Sequence, residues 1–296
     1  MQIHTLDLEF LGVPRAIASY LVLGSEPVLI ETGPRTTLET LIARLADHGL
    51  RPGDIRHVLV THIHLDHAGA LGWWAQNGAR VYVHPVGAPH MIDPSRLMRS
   101  ATRIYGDEMD RLWGEVVPAP EEQVQLVRDG DRIEIGDLVF TALDTPGHAT
   151  HHHVYRLGDV AFAGDAAGIR LEGEQLLDLP APPPEFDREV WHRTIDRLLA
   201  LDLKTLYPTH FGPLSNTRQH LESFRELISS ATDFVGTELS AGTDRDTLVE
   251  RYKAWIRDRA LAHGASETLV DTYKAANPPH MSVDGIMRYW KRRQTG

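Results

Sequence analysis

Apolar residues recur along the first 215 positions with the two-residue period, or in the short unbroken runs, that are typical of β-strands. Turn signals such as Thr32-Gly33-Pro34 separate these runs. We predict strands at 3–10, 18–23, 27–30, 55–60, 81–83, 124–126, 132–135, 138–143, 151–157, 160–163 and 205–208. Between the strands, apolar residues three and four positions apart predict helices at about 37–48, up to Gln76, and at 188–201.

Two β-rich stretches, 1–85 and 124–215, each with helices, predict an α+β fold in which two sheets pack face to face and helices cover them, an αββα sandwich. The segment of about 85–120 lacks a strand pattern and carries Met and aromatic residues, so we predict a helical insertion. It is either a lid over a pocket or a layer that covers the core.

From residue 216 onward the pattern is helical. We predict helices at 217–229, 244–263, 266–276 and 280–293, and a domain organisation in which 216–296 is a helical extension packed on an αββα domain at 1–215.

Composition narrows the functional classes. The 296 residues have a net charge of -11 and no cysteine. The charge argues against a nucleic-acid partner, and the missing cysteines exclude disulfides and thiol nucleophiles. No apolar run approaches the ~20 residues that span a bilayer, and the first residues lack a signal-peptide pattern. We therefore expect a cytoplasmic protein with a small-molecule substrate and no membrane partner; a homodimer is left open.

Potential metal ligands concentrate in Thr61-His62-Ile63-His64-Leu65-Asp66-His67, directly after an apolar strand. Imidazole nitrogens and carboxylates are ligands of zinc, iron and manganese. The alternative is a run of solvated surface histidines. One segment supplies only part of a closed site, and three more strand ends carry candidates: His148, Asp165 and His210.

These segments resemble motifs of the metallo-β-lactamase superfamily. Residues 61–67 are similar to its T-H-x-H-x-D-H signature, and Thr145-Pro146-Gly147-His148, Phe162-Ala163-Gly164-Asp165 and His210 resemble its later metal-binding motifs in the same order. The resemblance covers about 1–215 and implies an αββα sandwich.

The resemblance also implies two metal sites. His62, His64 and His148 would hold one ion, Asp66, His67 and His210 the other, and Asp165 would bridge both. The ions would be two divalent metals, with zinc as the first choice and iron or manganese as alternatives. Asp66 and Asp165 would be the catalytic residues.

Two further residues are weaker candidates. Glu31 stands where the superfamily usually has a supporting aspartate. His152 lies close after His148, and we predict that it supports the site or contacts substrate; an exposed histidine-rich strand edge is an equal alternative.

The implied chemistry is hydrolysis by a metal-bridging hydroxide. The leading hypothesis is a glyoxalase II-like hydrolase of a small ester or thioester. A small-molecule phosphodiesterase or a lactonase of the same fold is the first alternative, although Gly168 stands where quorum-quenching lactonases have tyrosine. A mononuclear iron dioxygenase of the persulfide type is an alternative from another class.

Overall fold

The strand-forming runs build two mixed β-sheets. The computed structural model describes residues 1–170, 176–266 and 277–295. The first sheet has its six strands in chain order: β1 (Gln2–Asp7), β2 (Ala18–Leu23), β3 (Pro27–Ile30), β4 (His57–Leu59), β5 (Arg80–Val83) and β6 (Val124–Leu126). Its first three strands pair antiparallel, and β3 to β6 pair parallel.

The second sheet has the order β11-β10-β9-β8-β7. Its strands are β7 (Arg132–Ile135), β8 (Leu138–Asp144), β9 (His153–Leu157), β10 (Val160–Gly164) and β11 (Thr205–Pro208). Neighbours pair antiparallel except β10 and β11, which are parallel.

Helices surround the sheets. Those that precede the second sheet are α1 (Leu38–Ala46), α2 (Leu65–Ala68), α3 (Leu71–Gln76), α4 (Ala88–Ile92), α5 (Ser95–Tyr105) and α6 (Met109–Leu112). Those that follow β10 are α7 (Arg188–Leu199), α8 (Thr217–Ser240), α9 (Arg245–Ala262) and α10 (Pro279–Thr295).

Buried side chains divide into three layers, which makes the protein a four-layered αββα sandwich. Tyr20 and Phe162 belong to the layer between the sheets. Leu41 of α1 and Trp74 of α3 pack on the outer face of the first sheet. Phe224 of α8 belongs to the layer on the outer face of the second. The fold class predicted from the sequence is therefore confirmed.

Several predicted boundaries were wrong; β4, for example, spans His57–Leu59 rather than 55–60. β1 ends at Asp7, and Phe10 lies in a short 3-10 turn beyond it. β9 begins at His153, two residues later than predicted, because the backbones of 151 and 152 belong to the loop after β8. Helix α8 runs to Ser240 rather than to 229.

The long α8 is a case in which tertiary packing overrides weak helix propensity. Its second half contains Ser, Thr and Gly residues, yet Ala231 and Val235 are fully buried. Gly236 lies against Trp290 of α10, and a Cβ there would come within 2.7 Å of the indole ring. The glycine that weakens the local helix signal therefore permits close helix–helix contact.

The segment of 85–120 contains α4, α5 and α6. Met91 and Trp113 pack into the core beside the first sheet, while Leu97 and Tyr105 line a cavity. The segment therefore covers part of the core and also lines the cavity, and its function as a lid stays a prediction. The division at 215 stays a prediction, and the helix predicted at 266–276 lies, apart from its first residue, outside the described residues. Among the described helices, none is long and apolar enough to cross a membrane.

Candidate metal centre

All seven predicted ligands lie together, because four strand ends meet on one side of the sandwich. Residues 60–64 follow β4 and lead into α2, which carries Asp66 and His67. His148 follows β8, Asp165 follows β10, and His210 follows β11. Most of these side chains are buried; Asp66 retains about 21% of its side-chain exposure.

Three imidazole nitrogens converge in the first cluster. His62 Nε2 lies 3.0 Å from His64 Nδ1 and 3.2 Å from His148 Nε2, and the last two atoms are 2.9 Å apart. Asp165 Oδ2 lies 3.3 Å from His148 Nε2. Three nitrogens this close, with a carboxylate beside them, form a donor set suited to one divalent ion.

A second cluster lies on the other side of Asp165. The Nε2 atoms of His67 and His210 lie 3.4 and 3.6 Å from Asp165 Oδ1. The same two nitrogens lie 3.6 and 3.3 Å from Asp66 Oδ2. One carboxylate oxygen of Asp165 therefore faces each cluster, the arrangement expected of a bridging ligand.

Hydrogen bonds behind the site fix which nitrogen faces inward. His148 Nδ1–H donates to the Pro180 carbonyl at 2.8 Å, and His210 Nδ1–H donates to the Ala16 carbonyl at 2.8 Å. Because a carbonyl only accepts, the Nε2 atom of each neutral ring keeps its lone pair toward the clusters.

His62 is oriented through a side chain instead. Its Nδ1 lies 3.1 Å from Thr61 Oγ1, and that hydroxyl donates to Glu31 Oε1. Glu31 Oε1 also lies 3.4 Å from His67 Nδ1. The glutamate therefore reaches the back of both clusters, which is consistent with the supporting role predicted for it.

Burial and neighbouring charges shift the pKa values of the histidines in opposite directions in the two clusters. Burial, and then the neighbouring histidines, hold the pKa values of His62 and His64 well below the usual range. Burial alone would lower the pKa of His67 too, but the charges of Asp165, Asp66 and Glu31 outweigh it and raise that pKa well above 6.5. Burial thus keeps His62 and His64 neutral, whereas His67 lies among three carboxyl groups that favour its charged form.

The pKa values of the two carboxyl groups, Asp66 and Asp165, are lowered. Burial would raise the pKa of Asp66, but His67 and His210 outweigh it and lower the pKa to about 2. Burial of Asp165 is likewise outweighed by its histidine neighbours, so its pKa lies well below the usual range. Both groups are ionised at neutral pH, as ligands must be.

Buried polar atoms without hydrogen-bond partners also indicate that the centre is suited to divalent ions. His67 Nδ1 and Nε2 and Asp165 Oδ1 are buried without a hydrogen-bond partner among the described residues. Buried polar atoms are ordinarily satisfied because desolvation is costly. Ions held by the two clusters would supply the missing partners for His67 Nε2 and Asp165 Oδ1.

His152 holds the backbone beside the bridging position. Its Nε2 accepts the Asp165 backbone N–H at 3.1 Å, so its Nδ1–H donates to Thr145 Oγ1 at 2.8 Å. A Cβ on Gly164 would come within 2.4 Å of Thr61 Oγ1 and 2.7 Å of His152 Nε2. The structure thus places His152 behind the candidate ligands. Thr145 was not predicted in this role from the sequence.

A third group, His84, Asp144 and His153, was not predicted from the sequence. His153 Nε2 lies 2.8 Å and His84 Nε2 lies 3.5 Å from Asp144 Oδ1. The Val86 backbone N–H donates to His84 Nδ1, so the neutral ring carries its proton on Nε2. That proton faces the carboxylate, and the group is therefore better suited to an internal hydrogen-bonded cluster than to a metal site.

The centre opens into a cavity of about 370 Å³. His64, Asp66 and His210 contribute to its floor, and α5 and α6 contribute to its walls. Asn277 and Met281, at the start of the C-terminal helical segment, also line it. Substrate-sized space therefore lies directly against the proposed ligands.

Comparisons with known proteins identify the family of this chain. The model of the metallo-beta-lactamase superfamily matches residues 12–210. The metallo-beta-lactamase fold-containing protein ST1585 of Sulfurisphaera tokodaii is 24% identical over 232 residues, 77% of this chain and 84% of that protein. A hydroxyacylglutathione hydrolase of Methylobacterium nodulans is 32% identical over 182 residues, 60% of this chain and 56% of that protein.

A solved structure extends the comparison to the helical segments. The metallo-beta-lactamase family protein TTHA1429 from Thermus thermophilus superposes with a TM-score of 0.69 at 22% identity, covering 99% of this chain and 94% of that one. At this identity the superposition shows the fold. Because the family model matches more than half of the chain, the chain belongs to the metallo-beta-lactamase superfamily.

Proposed function

We propose that this metal-dependent hydrolase uses two divalent ions to cleave a small ester or thioester. The observation that carries the proposal is the position of Asp165, with one carboxylate oxygen facing His148 and the other facing His67 and His210. A protein that used one ion would need neither the second cluster nor a carboxylate between the two.

Seven residues would hold the two ions. His62, His64 and His148 would hold one ion, Asp66, His67 and His210 the other, and Asp165 both. Bound divalent ions lower the pKa of a bound water and polarise the carbonyl under attack. Zinc is the first choice because imidazole and carboxylate ligands suit it, with iron or manganese as alternatives.

The chain's own groups add orientation and proton transfer. Asp66 is the ligand carboxylate that keeps some exposure to the cavity, and it is ionised at neutral pH. We propose that it accepts a proton from the attacking water. Hydrogen bonds to the Pro180 and Ala16 carbonyls and to the Thr61 hydroxyl keep the unprotonated nitrogens of the three rings directed toward the clusters.

The ester or thioester substrate is supported by the hydroxyacylglutathione hydrolase among the relatives. A lactonase of the quorum-quenching kind is disfavoured by Gly168. Its φ is +73°, and a Cβ there would lie 2.3 Å from the Phe224 ring of α8. The tyrosine of those lactonases has no room at this position.

The test is elemental analysis of protein purified without added metal, followed by a substrate panel with that metal present. We expect two divalent ions per chain and turnover of an ester or thioester that chelation abolishes. One iron per chain with oxygen consumption, or a preference of several orders of magnitude for an activated phosphodiester, would overturn the proposal.

Two variants test the ligand assignment. Asp165→Ala should disturb both ions and remove nearly all activity, whereas His210→Ala should chiefly empty the second site. His263→Ala, at an exposed histidine outside the centre, is the control. Full metal content and retained turnover in Asp165→Ala would contradict the bridging role.

A further inference from the structure

The cavity over the metal centre has apolar walls. Phe10 stacks on Trp113 with ring centroids 5.7 Å apart, and Tyr105 meets Trp113 edge-on at 5.1 Å. All three side chains line the cavity. Polarity is concentrated on the floor, where the proposed metal ligands lie.

Exposed apolar side chains extend this surface toward solvent. Val86 and Ile104 line the cavity and are 53% and 41% exposed. Because they adjoin an apolar cavity, these two side chains enlarge the apolar surface that a substrate can cover. Leu97, on the same helix as Ile104, continues the apolar face inward.

Charged groups are sparse among the described lining residues away from the floor. Arg96 and Glu185 are the full charges there, with His90 and His151 as titratable neighbours. Glu185 already accepts hydrogen bonds from the backbone N–H and the hydroxyl of Thr150. A glutathione thioester, which carries two carboxylates and an ammonium group, would find few partners among these described residues.

We propose that the substrate is an ester or thioester with an apolar organic group beside the scissile bond, and that the aromatic wall of Phe10, Tyr105 and Trp113 binds this group. The inference rests on the proposed hydrolase function and names its substrate class. Hydrolysis adds water across the acyl–oxygen or acyl–sulfur bond, releases an acid and an alcohol or thiol, and requires no other reactant.

A homologous series of substrates tests the inference. Acyl chains from two to eight carbons are attached to one small thiol, and a matched series varies the leaving group at constant acyl group. Where the chain enters the wall, kcat/KM should rise about fourfold per methylene, the equivalent of about 0.8 kcal/mol, until the cavity is filled.

Two pairs of variants test which side chains bind the apolar group. Ile104 extends the aromatic wall toward solvent, so Ile104→Ser should lower kcat/KM roughly tenfold for the longest substrate and much less for the acetyl substrate, which is too short to reach it. Leu126→Ser is the control, because Leu126 is similarly exposed, at 45%, and lies outside the cavity. Trp113→Ala, compared with Trp73→Ala, tests the buried part of the wall by the same ratio of long to short substrates.

The outcomes separate the two proposals. No turnover of any ester or thioester in metal-loaded enzyme overturns the hydrolase substrate itself. Turnover that is flat across both series, or that is fastest with a glutathione thioester of a polar acyl group, overturns the apolar substrate and leaves the hydrolase proposal standing. An equal loss on long and short substrates in Ile104→Ser also overturns the role of the wall.

Discussion

Thr61 shows how one hydroxyl sets the orientation of a candidate metal ligand. The Thr61 hydroxyl donates to Glu31, so its lone pair is available to the Nδ1–H of His62. This leaves His62 Nε2 unprotonated toward His64 and His148. The glutamate, although longer than the aspartate usual in the superfamily, thus acts on the centre through an intervening hydroxyl.

Replacement of Thr61 by valine tests this relay. Thr61→Val removes the acceptor for His62 Nδ1–H, and we expect metal affinity at the first cluster to fall 10- to 100-fold, the range typical of such supporting partners. Competition titration with a chelating dye measures the change. Thr232→Val, which removes an equally buried hydroxyl within α8, is the control; an equal loss in both variants would contradict the relay.

The sequence allowed the candidate ligands to be identified, and they lie together in the structure, whereas their hydrogen-bond partners could not be predicted. His62, His64, Asp66 and the later histidines are chemically distinctive, and their order along the chain is informative. The carbonyls of Pro180 and Ala16 are not, because every residue has one. Only the folded backbone shows which carbonyl faces which ring.

Among the elements, α10 acts on the centre from a distance. Ser282 at its first turns donates to the Leu179 carbonyl at 2.6 Å and accepts the Ala181 backbone N–H at 3.2 Å. Asn277 donates to Asp178 and to the same carbonyl. These bonds bracket Pro180, whose carbonyl orients His148.

Loss of the Ser282 hydroxyl should therefore affect both stability and metal binding. Ser282→Ala leaves the buried Ala181 N–H unsatisfied, at a cost of about 1–3 kcal/mol in the free energy of unfolding. We also expect several-fold weaker binding of the first ion, because Pro180 is less firmly held. Urea unfolding and metal titration measure the two effects.

The control for metal binding is Ser240→Ala, whose exposed hydroxyl bonds back within α8 and lies outside the 178–181 segment. Destabilisation of Ser282→Ala with unchanged metal affinity would show that α10 supports the fold without positioning His148.

Short elements were predictable where one pattern dominated, as in β2 and β3, whose bounds agree with the predictions. The end of α8 was not, because Gly236 and its Ser and Thr neighbours weaken the local signal. Contact with Trp290, which is 54 positions later in the chain, restores the helix there. Such a contact has no local trace in the sequence.

At the scale of the whole molecule, buried neutral histidines make stability depend on pH. His220 of α8 donates its Nε2–H to the Ala167 carbonyl at 2.7 Å, close to the loop after β10. Burial lowers the pKa of His220 to about 4, against 6.5 for an exposed histidine. Between these values the unfolded chain binds a proton that the folded protein does not, so the free energy of unfolding falls as pH falls.

We expect His220 to account for a loss of about 3 kcal/mol between pH 6.5 and 4. His220→Gln should flatten the pH dependence of unfolding over this window, relative to the wild type and to His263→Gln, an exposed control. Denaturant unfolding at several pH values in the presence of a chelator measures it. A variant curve parallel to that of the wild type would contradict the assignment.

The hydrophobic pattern of the sequence predicted the layered fold. It did not predict that the C-terminal helices contribute to the core on the outer face of the second sheet. Phe224, Tyr252 and Ile286 pack in the same buried cluster as Trp191 of α7. Amphipathic spacing shows that a helix has an apolar face, yet it does not specify which surface the face covers. The cavity lining from Met281 was unpredictable for the same reason.

The carbonyl contacts to His148 and His210 have a consequence for how the centre tolerates genetic change. Substitutions at Ala16 and Pro180 alter side chains but retain the acceptor, so these two rings are buffered against point mutation as long as the loops keep their course. The ring of His62 has no such protection, because a single codon change at Thr61 removes its partner. Natural substitutions at Ala16 or Pro180 should therefore leave His210 and His148 oriented. Substitutions at Thr61 should disturb the orientation of His62.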